Sequence, residues 1–190
     1  MKQGQIIKIF KETESLLHGH FCLSSGLHSN GYMQCARVLQ YPKYAEAFGK
    51  GIAGFFKNKK IETVVAPAMG GIIIGYEVAR ALNAKSLFTE RKDGKMSLRR
   101  GFTVDKGEKI LVIEDVITTG GSAKEVVLLL LDMGCEVVGV GSIIDRSAGP
   151  VDFPVEFRPL AKIDLDVYEP GVCPLCKQGI VIDKPGSKYY

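Results

Sequence analysis

Short apolar runs alternate with helical patterns between residues 61 and 145, and this alternation constrains the fold more than any other feature. The run Ile110–Ile113 is apolar at every position, as expected for a strand that is buried on both faces. Val137–Ile144 is predicted as a second buried strand, and Ser122–Met133 between them as an apolar helix that ends before Gly134. This order predicts an α/β fold with a mostly parallel central sheet flanked by helices.

Patterns upstream extend the same alternation. Thr63–Ala66 is a β-branched run that predicts a strand, and Pro67 ends it. Gly70–Leu82 predicts a helix that opens on glycines, and Lys85–Thr89 predicts another strand. We therefore expect residues 61–146 to form the core unit of the fold.

The N-terminal segment, residues 1–60, is predicted to flank this unit. Apolar positions between Ile6 and Leu17 recur with the spacing of an amphipathic helix. Tyr44–Phe56 suits a second helix, and a loop rich in Ser, Gly and His, Ser24–Gly31, lies between the two.

The C-terminal segment, residues 147–190, holds one more strand candidate, Val155–Leu160, and a tail with Pro, Gly and Cys. We expect this segment and residues 1–60 to meet over the core unit as a small hood. The length of 190 residues fits one domain, so the whole chain, 1–190, is predicted to be a single domain.

Composition excludes several classes of protein. Apolar residues make up 46% and charged residues 24%, both close to globular averages, so the chain is not disordered. The longest apolar run, Val126–Leu131, is far too short to cross a membrane, and the first ten residues lack the long apolar stretch and the small-residue cleavage site of a signal peptide. A net charge of +4 does not by itself indicate nucleic acid. We expect a cytoplasmic protein that binds neither membranes nor nucleic acid.

The chain has five cysteines, an odd number that argues against a disulfide framework in a protein without an export signal. Cys173 and Cys176 have the spacing of half a zinc site, but no second pair and no histidine follows them. Reduced thiols without a function are the main prediction. A disulfide, or a metal half-site shared across a dimer, are the alternatives.

The segment Ile110–Ser122 carries the strongest functional signal. A predicted buried strand ends in two acids, Glu114 and Asp115, and a short loop of Thr, Gly and Ser then leads into a helix. Ligands of open α/β sheets bind beyond the carboxyl ends of the strands. Glycines let backbone N–H groups approach an anion, and the helix N-terminus adds unpaired donors and the positive end of its dipole. The loop is therefore a predicted phosphate site.

The two acids require a different ligand, because carboxylates repel a phosphate. Ribose hydroxyls or a cation would suit them. A sugar that carries a 5′-phosphate satisfies both halves of the motif at once. The alternative is a structural turn with two acids at a solvated strand end, and the ordered succession of strand, acids, glycines and helix disfavours it.

Cationic residues crowd into the segment Glu90–Phe102, where Asp93 and Gly94 favour a turn. Few apolar side chains anchor this segment, so we expect it to be mobile when empty and to close on an anion. A solvated β-hairpin is the alternative. The cations are Arg91, Lys92, Lys95, Arg99 and Arg100.

The stretch Glu114–Ser122 resembles the phosphoribosyl pyrophosphate (PRPP) signature of the type I phosphoribosyltransferases. Further segments resemble the orotate phosphoribosyltransferases of that family, so that the resemblance covers nearly the whole chain. It implies the type I phosphoribosyltransferase fold and transfer of the 5-phosphoribosyl group from PRPP to orotate, which yields orotidine 5′-monophosphate and pyrophosphate in de novo pyrimidine (UMP) biosynthesis. The further segments are Ser25–Gln34, Glu90–Phe102, Asp145–Arg146 and Tyr168–Cys176.

The resemblance also implies the PRPP site. Glu114 and Asp115 would hold the ribose hydroxyls, and Lys95 would be the catalytic residue that neutralises pyrophosphate. The basic loop of the family closes over the neighbouring subunit's site, which implies a homodimer with shared active sites. Mg²⁺ is the implied cofactor, carried by PRPP oxygens and water without a direct protein ligand. The implied PRPP-binding residues are Met69, Gly70, Arg91, Lys92, Lys95, Ser97, Glu114, Asp115, Val116, Ile117, Thr118, Thr119, Gly120, Gly121 and Ser122.

This sequence departs from the pattern of the family at three places. Ser97 stands where many relatives have His, and Ser24 stands where many have Lys. Met69-Gly70 replaces a Tyr-Lys pair that some relatives carry, so backbone N–H groups would serve there instead of a charged side chain.

Arg146 is implied to select the base, because a planar guanidinium matches the carboxylate of orotate, which uracil and purines lack. Thr118, Tyr32 and Met33 are the other implied orotate-binding residues. A salt bridge between Arg146 and Asp145 is the structural alternative. Two other functions remain open, namely phosphoribosyl transfer to a purine or uracil, and PRPP-sensing regulation on the same fold.

Overall fold

The computed structural model of the protein describes residues 1–23 and 25–185, so Ser24 lies outside the described residues. Of the helices in this part of the chain, none is both long and apolar enough to cross a membrane. The helices are α1 (Gln3–Glu12), α2 (Cys35–Leu39), α3 (Pro42–Phe56), α4 (Gly71–Leu82), α5 (Gly121–Asp132) and α6 (Pro174–Lys177), with a short 3-10 helix over Pro170–Val172. The strands are β1 (Leu16–Cys22), β2 (His28–Met33), β3 (Thr63–Pro67), β4 (Lys85–Lys92), β5 (Lys95–Leu98), β6 (Lys109–Ile117), β7 (Glu136–Asp145), β8 (Phe157–Lys162) and β9 (Val167–Tyr168).

The central sheet has six strands in the order β5-β4-β3-β6-β7-β8. All neighbouring strands are parallel except β4 and β5, which form an antiparallel hairpin. The predicted α/β fold with a mostly parallel sheet is therefore confirmed. Because the inner strands run in one direction, the carboxyl ends of β3, β6 and β7 lie along the same edge.

Helices cover both faces of the sheet, and β6 shows why its sequence is apolar throughout. Leu111 and Ile113 pack in one core cluster with residues of α1, α3 and α4. Ile110 and Val112 pack in a second cluster with residues of α5. All four side chains are fully buried. A strand that is buried on both faces has no solvated positions, which removes the period-2 pattern.

Helix α5 follows the predicted pattern closely. Its buried residues Ala123, Val126, Val127 and Leu130 recur with the spacing of one helix face and cover the sheet. The chain leaves the helix through Gly134, whose φ of +83° favours glycine. Leu130→Ala would destabilise the fold by about 2–5 kcal/mol, because this side chain is fully buried.

The N-terminal segment departs from its prediction. Leu16 and Leu17, which were expected to continue the first helix, begin β1 instead. The hydroxyl of Thr13 donates to the carbonyl oxygen of Ile9 over 2.8 Å, and Glu14 adopts a φ of +50°. These local features end the helix before the last two apolar positions are reached.

Strands β1, β2 and β9 form a second, antiparallel sheet. The first two strands come from the N-terminal segment and the third from the C-terminal segment, so the two segments meet there. Strand β2 begins at His28, inside the predicted loop Ser24–Gly31. The division of a single domain into a core unit and a hood stays a prediction.

Candidate active site

A cleft of about 210 Å³ lies at the carboxyl end of β6. Strand β6 was expected to end at the two acids. It instead continues to Ile117, which pairs with Asp145 of β7. The acids are therefore held by a regular strand, and the loop after it forms the wall of the cleft. The residues that line the cleft are Arg91, Glu114, Val116, Ile117, Thr118, Thr119, Gly120, Gly121, Ser122 and Ala123.

Gly120 joins this loop to α5 and has a φ of +75°. A Cβ atom there would overlap with Cγ1 of Val151 and lie 3.0 Å from Cζ of Phe153. Both the backbone conformation and the close packing therefore require glycine. Sequence analysis missed Val151 and Phe153, because no spacing in the sequence signals a contact over this separation.

The loop offers the donors that a phosphate requires. Thr118 and Thr119 are exposed and Ser122 is half-buried, so these hydroxyls are accessible from the cleft. Helix α5 begins at Gly121, and the N–H groups of its first turn have no partner within the helix. Unpaired donors and the helix dipole together favour a dianion at this end of the helix.

The two acids converge on the N-terminus of α4. A Cβ atom at Gly70 would lie 2.6 Å from Oδ2 of Asp115, and one at Gly71 would lie 3.2 Å from Oε1 of Glu114. The backbone N–H of Val116 donates to Oδ1 of Asp115 over 2.8 Å. Within the described part of the chain, neither carboxylate forms an ion pair.

Burial raises the pKa of Glu114 well above its usual range, and the neighbouring carboxylate of Asp115 raises it further. The pKa of Asp115 is also raised, mainly by burial. Carboxylates that have lost hydration gain most from a ligand that supplies hydroxyl donors or a cation. The all-oxygen donor set suits ribose hydroxyls, and it suits the water shell of Mg²⁺.

The turn between β3 and α4 contains the predicted pyrophosphate-binding residues Met69 and Gly70. The side chain of Met69 is 81% exposed and takes no part in the core. The backbone N–H of Ala68 donates to the carbonyl oxygen of Thr89 over 2.8 Å, which fixes the start of the turn. Because Gly70 packs against Asp115, the structure brings this turn and the acids together.

Arg146 follows β7 and is a buried cation. It is 9% exposed, and no described residue accepts a hydrogen bond from its Nε. Asp145, the alternative partner, instead accepts bonds from the N–H and the hydroxyl of Ser147 at 2.9 and 2.6 Å. Burial lowers the pKa of Arg146. A guanidinium in this state is stabilised by any ligand that brings it a carboxylate.

Tyr32 and Met33 are adjacent on β2, so their side chains point to opposite faces. Burial raises the pKa of Tyr32, the charge of Asp115 also raises it, and the charge of Arg146 lowers it. The phenol therefore lies near the charged groups of the cleft. Met33 is 5% exposed and its side chain packs in the core. Only the backbone of Met33 could therefore contact orotate as predicted.

The basic segment forms the β4–β5 hairpin and has more anchoring contacts than its sequence suggests, whereas its mobility when empty stays a prediction. Asp93 and Gly94 make the turn with φ values of +50° and +79°. Met96 is 7% exposed, and its N–H donates to Oε1 of Glu125 on α5 over 2.6 Å. Arg91 forms an ion pair with the same carboxylate at 2.8 Å. The hairpin is therefore anchored by the buried side chain of Met96 and by the carboxylate of Glu125, which binds both Met96 and Arg91.

The structure does not bring all of the predicted PRPP-binding cations into the cleft. Arg91 lines the cleft. Lys95 instead lines a shallow depression on the outer face of α5. Lys92 is exposed near the hairpin turn, and the hydroxyl of Ser97 donates to the carbonyl oxygen of Glu90 over 3.3 Å. Lys95 therefore lies outside the cleft of its own chain.

Comparison with known proteins gives a family match over more than half of the chain. The model of the phosphoribosyl transferase domain matches residues 37–153. The chain is 57% identical over 183 residues to the orotate phosphoribosyltransferase of Thermotoga maritima, covering 96% of this chain and 98% of that protein. It is 51% identical over 188 residues to the orotate phosphoribosyltransferase of Caldanaerobacter subterraneus subsp. tengcongensis, covering 99% of each.

Solved structures share the fold at lower identity. The orotate phosphoribosyltransferase from Aeropyrum pernix has a TM-score of 0.70 and 23% identity, covering 83% of this chain and 93% of that chain. The adenine phosphoribosyltransferase from Rhodothermus marinus has a TM-score of 0.68 and 18% identity, covering 84% and 99%. The fold is thus common to enzymes named for different bases, whereas the two relatives at 57% and 51% identity share one name. The chain belongs to the phosphoribosyltransferase family and, within it, to the orotate phosphoribosyltransferases.

Proposed function

We propose that the protein transfers the 5-phosphoribosyl group of PRPP to orotate and releases pyrophosphate, a step of pyrimidine biosynthesis. The observation that carries the choice of base is the buried guanidinium of Arg146, whose Nε has no partner among the described residues. Orotate brings a carboxylate that accepts from this guanidinium in a planar, charge-assisted pair. Uracil and adenine have no such group, so they would leave the buried charge uncompensated.

Tyr32 and Thr118 complete the proposed base site. Tyr32 lies close enough to Arg146 for the guanidinium to lower its pKa, and Thr118 is exposed at the end of β6. A flat base between a phenol and a hydroxyl would have its carboxylate directed to Arg146. The backbone of Met33 lies next to Tyr32 on the same strand.

PRPP would bind across the edge of the sheet. The loop that precedes α5 would hold the 5′-phosphate at the helix N-terminus. Glu114 and Asp115 would accept hydrogen bonds from the ribose hydroxyls. The pyrophosphate would then reach the Met69–Gly70 turn, which packs against Asp115.

The reaction breaks the bond between C1′ of the ribose and a pyrophosphate oxygen, and it forms a bond between C1′ and N1 of orotate, which gives up its proton to solvent. Positive charge develops on the ribose as pyrophosphate departs, and no protein nucleophile is required. The residues therefore act by positioning both substrates and by stabilising charge in a partly enclosed cleft. A negative charge on this acid pair, beside the ribose, would favour the cationic transition state.

Mg²⁺ fits this arrangement as a cation that PRPP brings with it. Its ligands would be PRPP oxygens and waters, and the waters would face the carboxylates of Glu114 and Asp115, which have no cationic partner in the described residues. When bound, Mg²⁺ supplies positive charge to the leaving pyrophosphate.

Lys95 is the proposed catalytic residue, and it would act in a neighbouring subunit. It lies on the outer side of the hairpin, away from the cleft of its own chain. Met69 in the turn after β3, and Ile73 and Tyr76 on α4, are 81%, 47% and 60% exposed. A second copy of the chain would cover this apolar surface and bring its hairpin to the site.

Orotate consumption in the presence of PRPP and Mg²⁺, followed by ultraviolet absorbance, tests the proposed function. Uracil and adenine in place of orotate are the controls, with pyrophosphate release as the common measurement. We expect pyrophosphate to be released when the base is orotate, and not when it is uracil or adenine. Release at equal rates with uracil or adenine would contradict the assignment of Arg146. PRPP binding without any turnover would indicate a regulator on this fold.

A further inference from the structure

Four side chains that commonly bind metals meet where the β1–β2 hairpin contacts the C-terminal tail. His20 lies on β1 and His28 begins β2, whereas Cys173 precedes α6 and Cys176 lies within it. One ligand atom of each residue lies within 4.8 Å of the ligand atoms of the other three. We call these four residues the His2Cys2 cluster. None of them lines the cleft at β6.

Four of the six distances between ligand atoms of the cluster are close to those of a tetrahedral metal site, and the other two lie within 4.8 Å. Bonds of about 2.3 Å to sulfur and about 2.0–2.1 Å to nitrogen separate the ligands of tetrahedral zinc by about 3.3–3.8 Å. Nε2 of His20 lies 3.6 Å from Sγ of Cys173 and 3.7 Å from Sγ of Cys176. Nδ1 of His28 lies 3.3 Å from Sγ of Cys176 and 3.0 Å from Nε2 of His20. Each distance falls within a few tenths of an ångström of the tetrahedral range.

The orientation of His20 is fixed from outside the cluster. Its Nδ1 donates a hydrogen bond to the carbonyl oxygen of Ile180 over 2.8 Å, so the lone pair of Nε2 points into the cluster. This is the support that metal-binding histidines usually have. One lone pair cannot accept hydrogen bonds from His28, Cys173 and Cys176 together, whereas one cation satisfies all four groups.

We propose that the His2Cys2 cluster binds one structural Zn²⁺. Thiolate and imidazole ligands select zinc over Mg²⁺, which prefers oxygen. Four protein ligands complete a tetrahedral shell and leave no position for a substrate, so the site is structural. Zinc binding releases the thiol protons of Cys173 and Cys176 to solvent as the two thiolates form.

The zinc would join segments that are far apart in the sequence. His20 and Cys173 are separated by 153 residues. Two backbone hydrogen bonds hold the tail beside β1. The N–H of Asp183 donates to the carbonyl oxygen of His20, and the carbonyl oxygen of Asp183 accepts from the N–H of Cys22, each over 2.8 Å. Strand β2 also carries Tyr32, so the metal would stiffen the hairpin that faces the cleft.

Metal analysis of the full-length protein tests the proposal. The chain would be expressed without a histidine tag, purified in reducing buffer without added metal, and analysed by mass spectrometry for zinc. We expect about one zinc per chain. Cys176→Ser changes an exposed residue and should lower the zinc content at least about tenfold. Cys22→Ser, on the same hairpin but outside the cluster, should keep the wild-type content.

Two further measurements on the wild-type chain cover the case in which Cys176→Ser does not fold. Replacement of zinc by Co²⁺ should produce the visible bands of a tetrahedral thiolate site. Modification of the cluster thiols should release zinc in proportion to the thiols modified. The proposal is overturned by a wild-type chain that takes up no zinc on reconstitution, by a zinc content that Cys176→Ser leaves unchanged, or by a Cys173–Cys176 disulfide in the freshly purified protein.

Discussion

The central cleft and the β4–β5 hairpin both concentrate charge, but among the described residues only the hairpin pairs some of its cations with acids. In the cleft, Arg146 and the acids Glu114 and Asp115 are enclosed by protein, and no ion pair joins them to another described residue. Such groups destabilise the empty protein. A ligand that supplies the missing partners therefore stabilises the folded chain as it binds.

The hairpin shows the opposite arrangement. Arg91 pairs with Glu125 and Arg100 pairs with Glu90, each at 2.8 Å. Exposed ion pairs contribute only about 0–1 kcal/mol, so the hairpin can exchange these partners for a pyrophosphate with little loss of stability. We therefore expect the cleft to determine selectivity, and the hairpin to rearrange when pyrophosphate binds.

The largest effect is expected in the cleft. Arg146→Ala should lower kcat/KM for orotate by about 2–5 kcal/mol of transition-state stabilisation, because the carboxylate loses its charged partner. PRPP affinity should change much less. Initial rates over a range of each substrate give both values, and Arg146→Lys should restore little activity because an ammonium lacks the planar fork. Equal losses for PRPP and orotate would rule out a role in selecting the base.

The hairpin is expected to act across a dimer. Lys95→Ala should lower kcat by about 10²–10³-fold, as the loss of one charge-stabilising donor does in other enzymes. Asp115→Asn should weaken PRPP binding while the chain still folds. When the two inactive variants are unfolded together and refolded, hybrid dimers should regain activity, because one of their sites has both Lys95 and Asp115 intact.

The same mixture shows whether the sites are shared. If Lys95 served its own chain, every site of the hybrid would still carry one substitution and no activity would return. Each variant refolded alone is the control. A protein that is a monomer by light scattering at assay concentrations would also contradict the shared site.

Glu114→Gln should stabilise the empty protein at neutral and alkaline pH. The pKa of Glu114 is raised in the folded state, so that state binds more protons than the unfolded chain, and stability falls as pH rises from the unfolded pKa through the folded one. The amide of Gln at position 114 does not ionise, so the variant does not lose this stability as pH rises. Melting curves from pH 4 to 8 should show a higher Tm for the variant at pH 8, by about 2–4 °C per kcal/mol gained.

The control for this experiment is the pH trend itself. The advantage of Glu114→Gln should shrink as pH falls toward the unfolded pKa of a carboxyl, about 4.3. An advantage that is the same at all pH values would reflect packing rather than the buried charge. A wild-type chain that is more stable than the variant at pH 8 would contradict the prediction that the buried carboxylate of Glu114 destabilises the empty protein.

Glu125→Gln should have the smallest effect. The amide oxygen can still accept the bond from Met96, and only the ion pair with Arg91 is lost. We expect a change in stability of at most about 1 kcal/mol and less than about threefold in KM for PRPP. Glu136→Gln, which removes an exposed pair with Lys109 elsewhere on the surface, is the matched control. A tenfold loss of activity specific to Glu125→Gln would show that the hairpin is not adaptable.

Local patterns predict most of the fold and the phosphate loop. The strand and helix that flank Gly120 are each specified by a continuous run of residues, so their positions can be predicted from the sequence. The end of α1 could not be predicted, because a hydroxyl bond of Thr13 and the positive φ of Glu14 stop the helix while the apolar spacing continues. The anchoring of Met96 depends on Glu125, a contact that only the tertiary structure creates.

The sequence predicts residue types in the candidate site better than it predicts their partners. Arg146 could be singled out by its place after a strand, but its lack of a partner follows from Asp145 bonding to Ser147. The His2Cys2 cluster could not be predicted from the spacing of Cys173 and Cys176, because no further ligand pair follows them in the sequence. Its histidines lie near the other end of the chain, in a sheet that joins both termini.

Binding of orotidine 5′-monophosphate and of UMP measures what the carboxylate of the base contributes, because the two nucleotides differ only in that group. Calorimetric titration of the wild type should show tighter binding of orotidine 5′-monophosphate by about 10–150-fold, the range of hydrogen bonds to charged groups. Arg146→Met should reduce this ratio to nearly one, with UMP affinity unchanged. A ratio that persists in Arg146→Met would contradict the claim that this buried guanidinium awaits the carboxylate of the base.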